Sequence, residues 1–190
     1  MGTPTGASQP ARYTVVPLLG PDGVGKTSLL QALGAYVQRR DGLYVPPLRA
    51  VQNATVLDVR TARGVFQHVD FASAAAEDAL LGSSPFQGAV LVVSAAEGVM
   101  PGTVRSLAHA REVGIPRVAV ALTHCDTAAD PELIDLVTME LRELLSKHEY
   151  AGERDDAPVG CVAVFPTVRE DELWMMKLAQ FFDAVQAWIQ

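Results

Sequence analysis

The segment with the clearest capacity for chemistry is the loop at residues 20–27, which reads G-P-D-G-V-G-K-T. It fits the pattern G-x-x-x-x-G-K-[ST], and it follows an apolar stretch at 13–19 that has the composition of a strand. Glycines in such a loop let backbone N–H groups turn toward a phosphate, and the helix that follows adds a partial positive charge. The residues expected to bind phosphate are Gly20, Asp22, Gly23, Val24, Gly25, Lys26 and Thr27.

Lys26 and Thr27 are the two side chains of this loop with direct roles. The lysine can reach the β- and γ-phosphates of a nucleotide, and the threonine hydroxyl can ligate Mg²⁺. The alternative is a glycine-rich turn that only caps a helix. Because the complete motif stands between a strand and a helix, it favours phosphate binding over that alternative.

Composition places this loop in a single acidic domain. The chain has 190 residues and a formal net charge of -7, which argues against a domain-wide nucleic-acid surface and gives no direct evidence of DNA binding. Cys125 and Cys161 show no C-x-x-C spacing, which fits a reducing compartment. Residues 1–11 read as a flexible tail rather than a signal peptide, and no apolar run is long enough to span a membrane. We therefore expect a cytoplasmic protein.

Hydrophobic periodicity divides the rest of the chain into alternating strands and helices. The predicted strands span 13–19, 55–60, 65–70, 89–93, 117–122 and 159–165. The predicted helices span 27–40, 71–81, 103–113, 131 through at least 145, and 170–189, with an irregular loop at 43–53. The short glycine-containing link at 61–64 predicts an antiparallel hairpin. This order predicts a three-layer α/β fold with a mostly parallel six-stranded sheet and one antiparallel edge strand.

Residues 88–103 carry a specific resemblance. They read G-A-V-L-V-V-S-A-A-E-G-V-M-P-G-T, which resembles the stretch G-A-I-L-V-V-S-A-A-D-G-P-M-P-Q-T of elongation factor Tu. Residues 110–116, A-R-E-V-G-I-P, are similar to the family's A-R-Q-V-G-V-P, and 130–145 resemble D-P-E-L-L-E-L-V-E-M-E-V-R-D-L-L. The resemblance implies a P-loop NTPase G domain at 12–190, without the β-barrel domains 2 and 3 of that family.

The resemblance implies that Asp70 holds Mg²⁺ through water, beside the direct ligand Thr27. It also implies a damaged catalytic site, because the family's D-C-P-G-H reads D-F-A-S-A at 70–74. Ser73 replaces the glycine whose N–H senses the γ-phosphate, and we expect it to reduce the conformational freedom of that switch. Ala74 replaces the histidine that positions the attacking water. The family's first-switch threonine is not apparent, and Thr55 is the nearest threonine.

Two further departures from the family lie at the ends of the nucleotide site. The family's loop G-H-V-D-H-G-K-T has become G-P-D-G-V-G-K-T, which puts the carboxylate of Asp22 near the γ-phosphate. Its repulsion would cost about 4 kcal/mol at a separation of about 4 Å and an effective dielectric constant of about 20. At the opposite end, the family's N-K-x-D reads T-H-C-D at 123–126.

The resemblance gives Asp126 the guanine-recognition role, since its two oxygens can accept from N1–H and the exocyclic amine. Thr123 is expected to be unable to support the loop as asparagine does. His124 either stacks on the base or is a surface histidine. Ala163 lies in the region that matches the family's S-A-L.

Two functions therefore compete. The leading hypothesis is a guanine-nucleotide-binding protein that uses Mg²⁺ with GDP or GTP and hydrolyses GTP slowly or not at all. The alternative is a non-enzymatic pseudo-GTPase that binds a protein, RNA or the ribosome with an empty pocket. An adenine-nucleotide enzyme is a weaker third possibility, because Asp126 favours guanine. Since Ala74 replaces the catalytic histidine, the sequence leaves open whether the chain is an enzyme.

Overall fold

The strands form one sheet around the buried runs that the sequence predicted. A computed structural model describes residues 13–41, 48–61, 63–82, 86–125, 131–150, 158–161 and 172–189. The described strands are β1 (Tyr13–Leu19), β2 (Arg49–Val51), β3 (Ala54–Thr61), β4 (Gly64–Phe71), β5 (Ala89–Ser94), β6 (Val118–Thr123) and β7 (Val159–Cys161). The described helices are α1 (Lys26–Asp41), α2 (Ala74–Leu81), α3 (Pro101–Glu112), α4 (Pro131–Lys147) and α5 (Glu172–Ile189).

The sheet has the order β2-β3-β4-β1-β5-β6-β7 within the described residues. Strand β1 pairs in parallel with β4 and β5, and β5, β6 and β7 continue the parallel arrangement. Strand β3 is antiparallel to both of its neighbours. All six residues of β5 and all six of β6 are buried, as continuous apolar strands covered on both faces should be. The predicted three-layer α/β fold is confirmed.

The hydrophobic core lies in two layers, one on each face of the sheet. One layer packs Leu29 and Leu33 of α1 with Phe182 of α5 against Val90 and other strand residues. The opposite layer takes its helical residues from α2, α3 and α4, among them Leu81, Leu107 and Leu141. Because the strands of the parallel part run in one direction, their carboxyl ends meet at the edge where the loop at 20–25 lies.

Two local predictions need correction. Residues 49–51 were expected in a loop, but they form β2, which pairs with β3. The described sheet therefore has seven strands rather than the predicted six, and the antiparallel strand β3 lies inside its edge rather than at it. Helix α2 begins at Ala74 rather than at residue 71, because β4 continues through Phe71, which pairs with Ala54. The predicted tail at 1–11, the strand residues 162–165 and the helix residues 170–171 lie outside the described part of the chain.

Among the described residues, no helix combines the length and the apolar character needed to cross a bilayer.

Candidate nucleotide-binding site

The loop between β1 and α1 has the geometry of a phosphate-binding loop. Gly20, Gly23 and Gly25 all have positive φ angles, of 124°, 86° and 90°. At Gly20 a side chain is excluded for a second reason, because a Cβ atom would lie 2.5 Å from the carbonyl oxygen of Val92. The helix begins at once, with the Leu29 amide donating to the Gly25 carbonyl at 2.9 Å. The loop therefore ends at a helix N-terminus, where backbone N–H groups can bind an anion.

Lys26 is held over this loop and is only 7% exposed. Its Nζ atom donates to the carbonyl oxygens of Gly20 and Pro21, at 2.8 Å each. The ammonium also lies 3.9 Å from Asp22 Oδ1. Because the loop carbonyls fix the ammonium at the mouth of the loop, it is placed where a lysine contacts the outer phosphates of a nucleotide.

Thr27 and Asp70 meet at the end of β4, as the magnesium prediction requires. The Thr27 hydroxyl donates to Asp70 Oδ2 at 2.5 Å. Asp70 is 6% exposed, and Oδ1 has no hydrogen-bond partner among the described residues. Burial raises the pKa of Asp70, against the lowering effects of the Thr27 hydrogen bond and the Lys26 charge, while the Asp22 charge raises it further.

A buried carboxylate oxygen without a partner is costly unless a bound group satisfies it. Mg²⁺ prefers oxygen ligands and keeps several of its waters, so an ion beside Thr27 would bring those waters to Asp70 Oδ1. The residues present therefore fit a magnesium ion, with Thr27 as the direct ligand and Asp70 as a partner of its waters.

A groove of about 360 Å³ joins the loop to the magnesium ligands. Its lining includes Lys26, Thr27 and Asp70, and also Thr55 of β3, the threonine nearest to the first-switch position. Thr55 is opposite Asp70 in the register of β3 and β4. The sequence analysis named Thr55 without predicting where it lies in the fold. In the structure it lines the groove together with residues of the phosphate loop.

A second cavity of about 240 Å³ lies between the loop, α2 and α3. Asp22, Lys26 and Phe71 line both this cavity and the groove. The cavity is otherwise lined by Ser73 just before α2, by Ala74 and Glu77 of α2, by Gly102, Arg105 and Ser106 of α3, and by Gly20 and Pro21 of the loop. Sequence reasoning did not single out Glu77, although its position three residues after Ala74 places both on one face of α2.

Ser73 has a structural role that the sequence did not reveal. It is the N-cap of α2, with extended backbone angles (φ -162°, ψ 163°), and its Oγ atom accepts from the Ala76 amide at 3.2 Å. Such a cap stabilises a helix by about 1 kcal/mol, so the serine fixes the position where α2 begins. Ala74, the next residue, is exposed and has no polar side-chain atom with which to orient water.

Asp22 is less disruptive than its position in the sequence suggests. Its side chain is 83% exposed and lies 3.9 Å from Lys26 Nζ. Solvent screening reduces the repulsion of an exposed charge toward the value in water, about 1 kcal/mol at about 4 Å. We therefore expect Asp22 to weaken binding of the γ-phosphate only slightly.

Thr123 corrects another expectation, because it does support the phosphate loop. Its side chain is fully buried, and its hydroxyl donates to the Val24 carbonyl at 2.7 Å, with the Val93 carbonyl at 3.2 Å. The hydroxyl thus ties the end of β6 to residue 24 of the loop. The prediction that threonine cannot take this role was wrong, because a short side chain reaches the loop when Val24 approaches it closely.

The base-recognition prediction is only partly covered by the described residues. His124 has a positive φ of 57°, and its Nδ1 atom lies 3.1 Å from Thr123 Oγ1. Cys125 is buried and its Sγ atom contacts the Leu122 carbonyl oxygen at 3.4 Å. Asp126 and Ala163 lie outside the described residues, so guanine recognition by them stays a prediction.

The chain matches the protein-family model described as the elongation factor Tu GTP binding domain. The match covers residues 66–190, more than half of the chain, and so includes Asp70, Ala74 and the segment at 123–126. It begins after the loop at 20–27, whose assignment rests on its own motif and on the contacts of Lys26 and Thr27.

Proposed function

The chain belongs to the family of the elongation factor Tu GTP-binding domain, and we propose that it binds guanine nucleotides with Mg²⁺ while hydrolysing GTP slowly. The observation that carries this proposal is the arrangement of Lys26, Thr27 and Asp70. The ammonium lies at the mouth of the loop, and the hydroxyl and the carboxylate meet beside it. This is the set of groups that neutralises a nucleotide's outer phosphates and its metal ion.

The proposal of slow hydrolysis rests on Ala74. Water attacking a γ-phosphate must be oriented by a group that accepts its hydrogen bond, and the side chain of alanine cannot do so. Ser73, beside it, already accepts from the Ala76 amide. The residues proposed to bind the phosphates and the metal ion are thus present, whereas Ala74 replaces the usual hydrolytic residue.

The choice of guanine rests on the sequence. The carboxylate of Asp126 can accept from both N1–H and the exocyclic amine of guanine, and adenine offers no such pair of donors. The buried Thr123 hydroxyl supports this proposal indirectly, because it fixes the strand end that precedes Asp126 against the loop. We also place the protein in the cytoplasm and regard the translation machinery as the first place to look for a protein partner.

The test is calorimetric titration of nucleotide-stripped protein with GDP, GTP and ATP, each with Mg²⁺. We expect guanine nucleotides to bind at micromolar concentration or below and ATP to bind much more weakly. Lys26→Ala, which removes the ammonium, should abolish this heat and provides the control for binding at the loop. If folded wild-type protein gives no heat with any nucleotide, the proposal is wrong and an interaction module with an empty pocket is favoured.

A further inference from the structure

The cavity between the phosphate loop, α2 and α3 adjoins Lys26, the residue to which the proposed function assigns contact with the γ-phosphate. Thr27 and Asp70 line the groove but not this cavity, and Lys26 lines both. The groove and the cavity therefore meet at Lys26, and the magnesium ligands line the groove alone. A terminal phosphate held at Lys26 would face the cavity, so the groups that line it decide how water can react there.

Glu77 is the acidic side chain of α2 in this cavity. It follows Ala74 by three residues, which places the two on the same face of the helix, and both line the cavity. Glu77 is 3% exposed, although glutamate is rarely so buried unless it has a partner. Because water hardly reaches the Glu77 side chain, its carboxyl group must interact with neighbouring protein groups instead.

Ser106 of α3 lines the same cavity, and its hydroxyl lies close enough to the Glu77 carboxyl group to influence its ionisation. Burial raises the pKa of Glu77, opposed in turn by the Ser106 hydroxyl and by the charges of Lys26 and Arg105, while the Asp78 charge raises it further. A buried carboxylate with a raised pKa is a stronger base than an exposed one, which suits it to accept a proton from water.

The other polar groups near Glu77 already have different roles. Ser73 Oγ caps α2, Asp22 is largely exposed, and Arg105 forms an ion pair with Asp78 at 2.5 Å. Lys26 can donate hydrogen bonds but cannot accept one from water. Glu77 is thus the buried acceptor in this cavity that can take a proton.

We propose that Glu77 orients the attacking water and acts as the general base in slow GTP hydrolysis, in place of the histidine that Ala74 replaces. This inference rests on the proposed function. The water oxygen bonds to the γ-phosphorus, and the bond from that phosphorus to the bridging oxygen breaks, leaving its electron pair on GDP. The water proton passes to Glu77 and then to solvent, and the products are GDP and inorganic phosphate.

The test compares single-turnover GTP hydrolysis in wild-type protein, Glu77→Gln and Glu77→Asp. Glutamine keeps an acceptor for Ser106 but cannot take a proton, so we expect the rate to fall at least about tenfold. The Kd for a non-hydrolysable GTP analogue should change less than about threefold, which shows that the variant is folded. The aspartate variant, which keeps a shorter carboxylate, should have an intermediate rate.

The pH dependence gives an independent readout. The wild-type rate should rise with pH as Glu77 loses its proton, and Glu77→Gln should lose this rise while the charges of Lys26, Arg105, Asp22 and Asp78 are unchanged. Glu112→Gln, which removes an exposed carboxylate from the end of α3, is the matched control and should behave as wild type.

Several outcomes would overturn the inference while leaving nucleotide binding intact. The first is an unchanged rate in Glu77→Gln, and the second is a wild-type rate no higher than that of Lys26→Ala. A third is tighter GTP binding by Glu77→Gln at an unchanged rate, which would show that the carboxylate only repels the γ-phosphate. Absence of binding of GDP and the analogue would instead contradict the proposed function itself.

Discussion

Pro21 of the phosphate loop packs directly against Gly102 in the first turn of α3. A Cβ atom at residue 102 would lie 2.8 Å from Pro21 Cβ and 3.3 Å from Pro21 Cγ. The family sequences that the chain resembles have histidine at the position of Pro21 and glutamine at that of Gly102. Because a side chain at 102 would collide with the proline ring, we infer that the two replacements depend on each other.

Gly102→Ala tests this dependence. The added methyl must displace the proline ring and the loop that carries it, so we expect the free energy of unfolding to fall by about 1–3 kcal/mol. Pro21→Gly, which removes the colliding atoms, should restore part of that loss, so the double variant should lose less stability than the two single losses added together. Urea denaturation measures each value.

Gly82→Ala is the matched control for this pair. Gly82 ends α2 with φ -71°, and a Cβ there would lie 3.7 Å from the nearest described atom, the Asp78 carbonyl oxygen. Alanine should therefore be tolerated or slightly stabilising at this position. A Gly102→Ala protein as stable as Gly82→Ala would show that the loop moves away from α3 at no cost.

Ala74→His tests the reason given for slow hydrolysis. An imidazole at this position would enter the cavity beside Lys26, where it could orient water, so we expect single-turnover GTP hydrolysis to accelerate at least about tenfold. The measurement is phosphate release from protein loaded with GTP. Ala75→His puts the same side chain at the neighbouring exposed position, outside the lining of the cavity, and should leave the rate unchanged. Equal acceleration in both variants would contradict the role assigned to residue 74.

The sequence predicted the strands and the loop whose residues show a clear hydrophobic or glycine pattern. It missed contacts between residues that lie far apart in the chain. Strands β5 and β6 follow from continuous apolar runs, and the loop follows from its glycines and Lys26. Strand β2 has three exposed residues and no hydrophobic pattern, so pairing with β3, rather than burial, defines it.

The candidate site shows the same division. Thr27 and Asp70 were predicted together and lie in hydrogen-bond contact. Thr123 was expected to have lost its supporting role, because a motif comparison registers the missing amide but not how closely Val24 approaches the hydroxyl. Glu77 was not singled out, since its burial beside the cavity depends on how α2, α3 and the loop pack together in three dimensions.

Thr123→Val tests the link between β6 and the loop. Valine has nearly the same shape but leaves the Val24 carbonyl without the hydroxyl, so we expect the free energy of unfolding to fall by about 1–2 kcal/mol. Because the loop loses a support, GDP affinity should fall as well, by about threefold or more, since about 1.4 kcal/mol corresponds to a factor of ten. Thr123→Ser keeps the hydroxyl and should retain most of the affinity. Equal losses in the two variants would indicate that packing of the methyl group, rather than the hydrogen bond, supports the loop.

His68 of β4 is fully buried, two residues before Asp70. Its ring lies 5.2 Å from that of Phe182 in an edge-to-face arrangement, and neither ring nitrogen has a hydrogen-bond partner among the described residues. Burial lowers the pKa of His68 from 6.5 to about 4. The folded protein therefore keeps this histidine neutral at pH values where the unfolded chain protonates it.

The resulting pH dependence can be isolated with His68→Leu. Between pH 6.5 and about 4 the unfolded chain binds a proton that the folded protein does not, so the stability that His68 contributes above pH 6.5 is lost as the pH falls. The loss amounts to about 3 kcal/mol. Leucine cannot be protonated, so its advantage over wild type should grow by about 3 kcal/mol between pH 7.5 and pH 4. Urea denaturation of both proteins in Mg²⁺-free buffer measures this difference, and the raised pKa values of Asp70 and Glu77 cancel because both proteins share them. A constant difference across that range would mean that protonated His68 is accommodated in the fold.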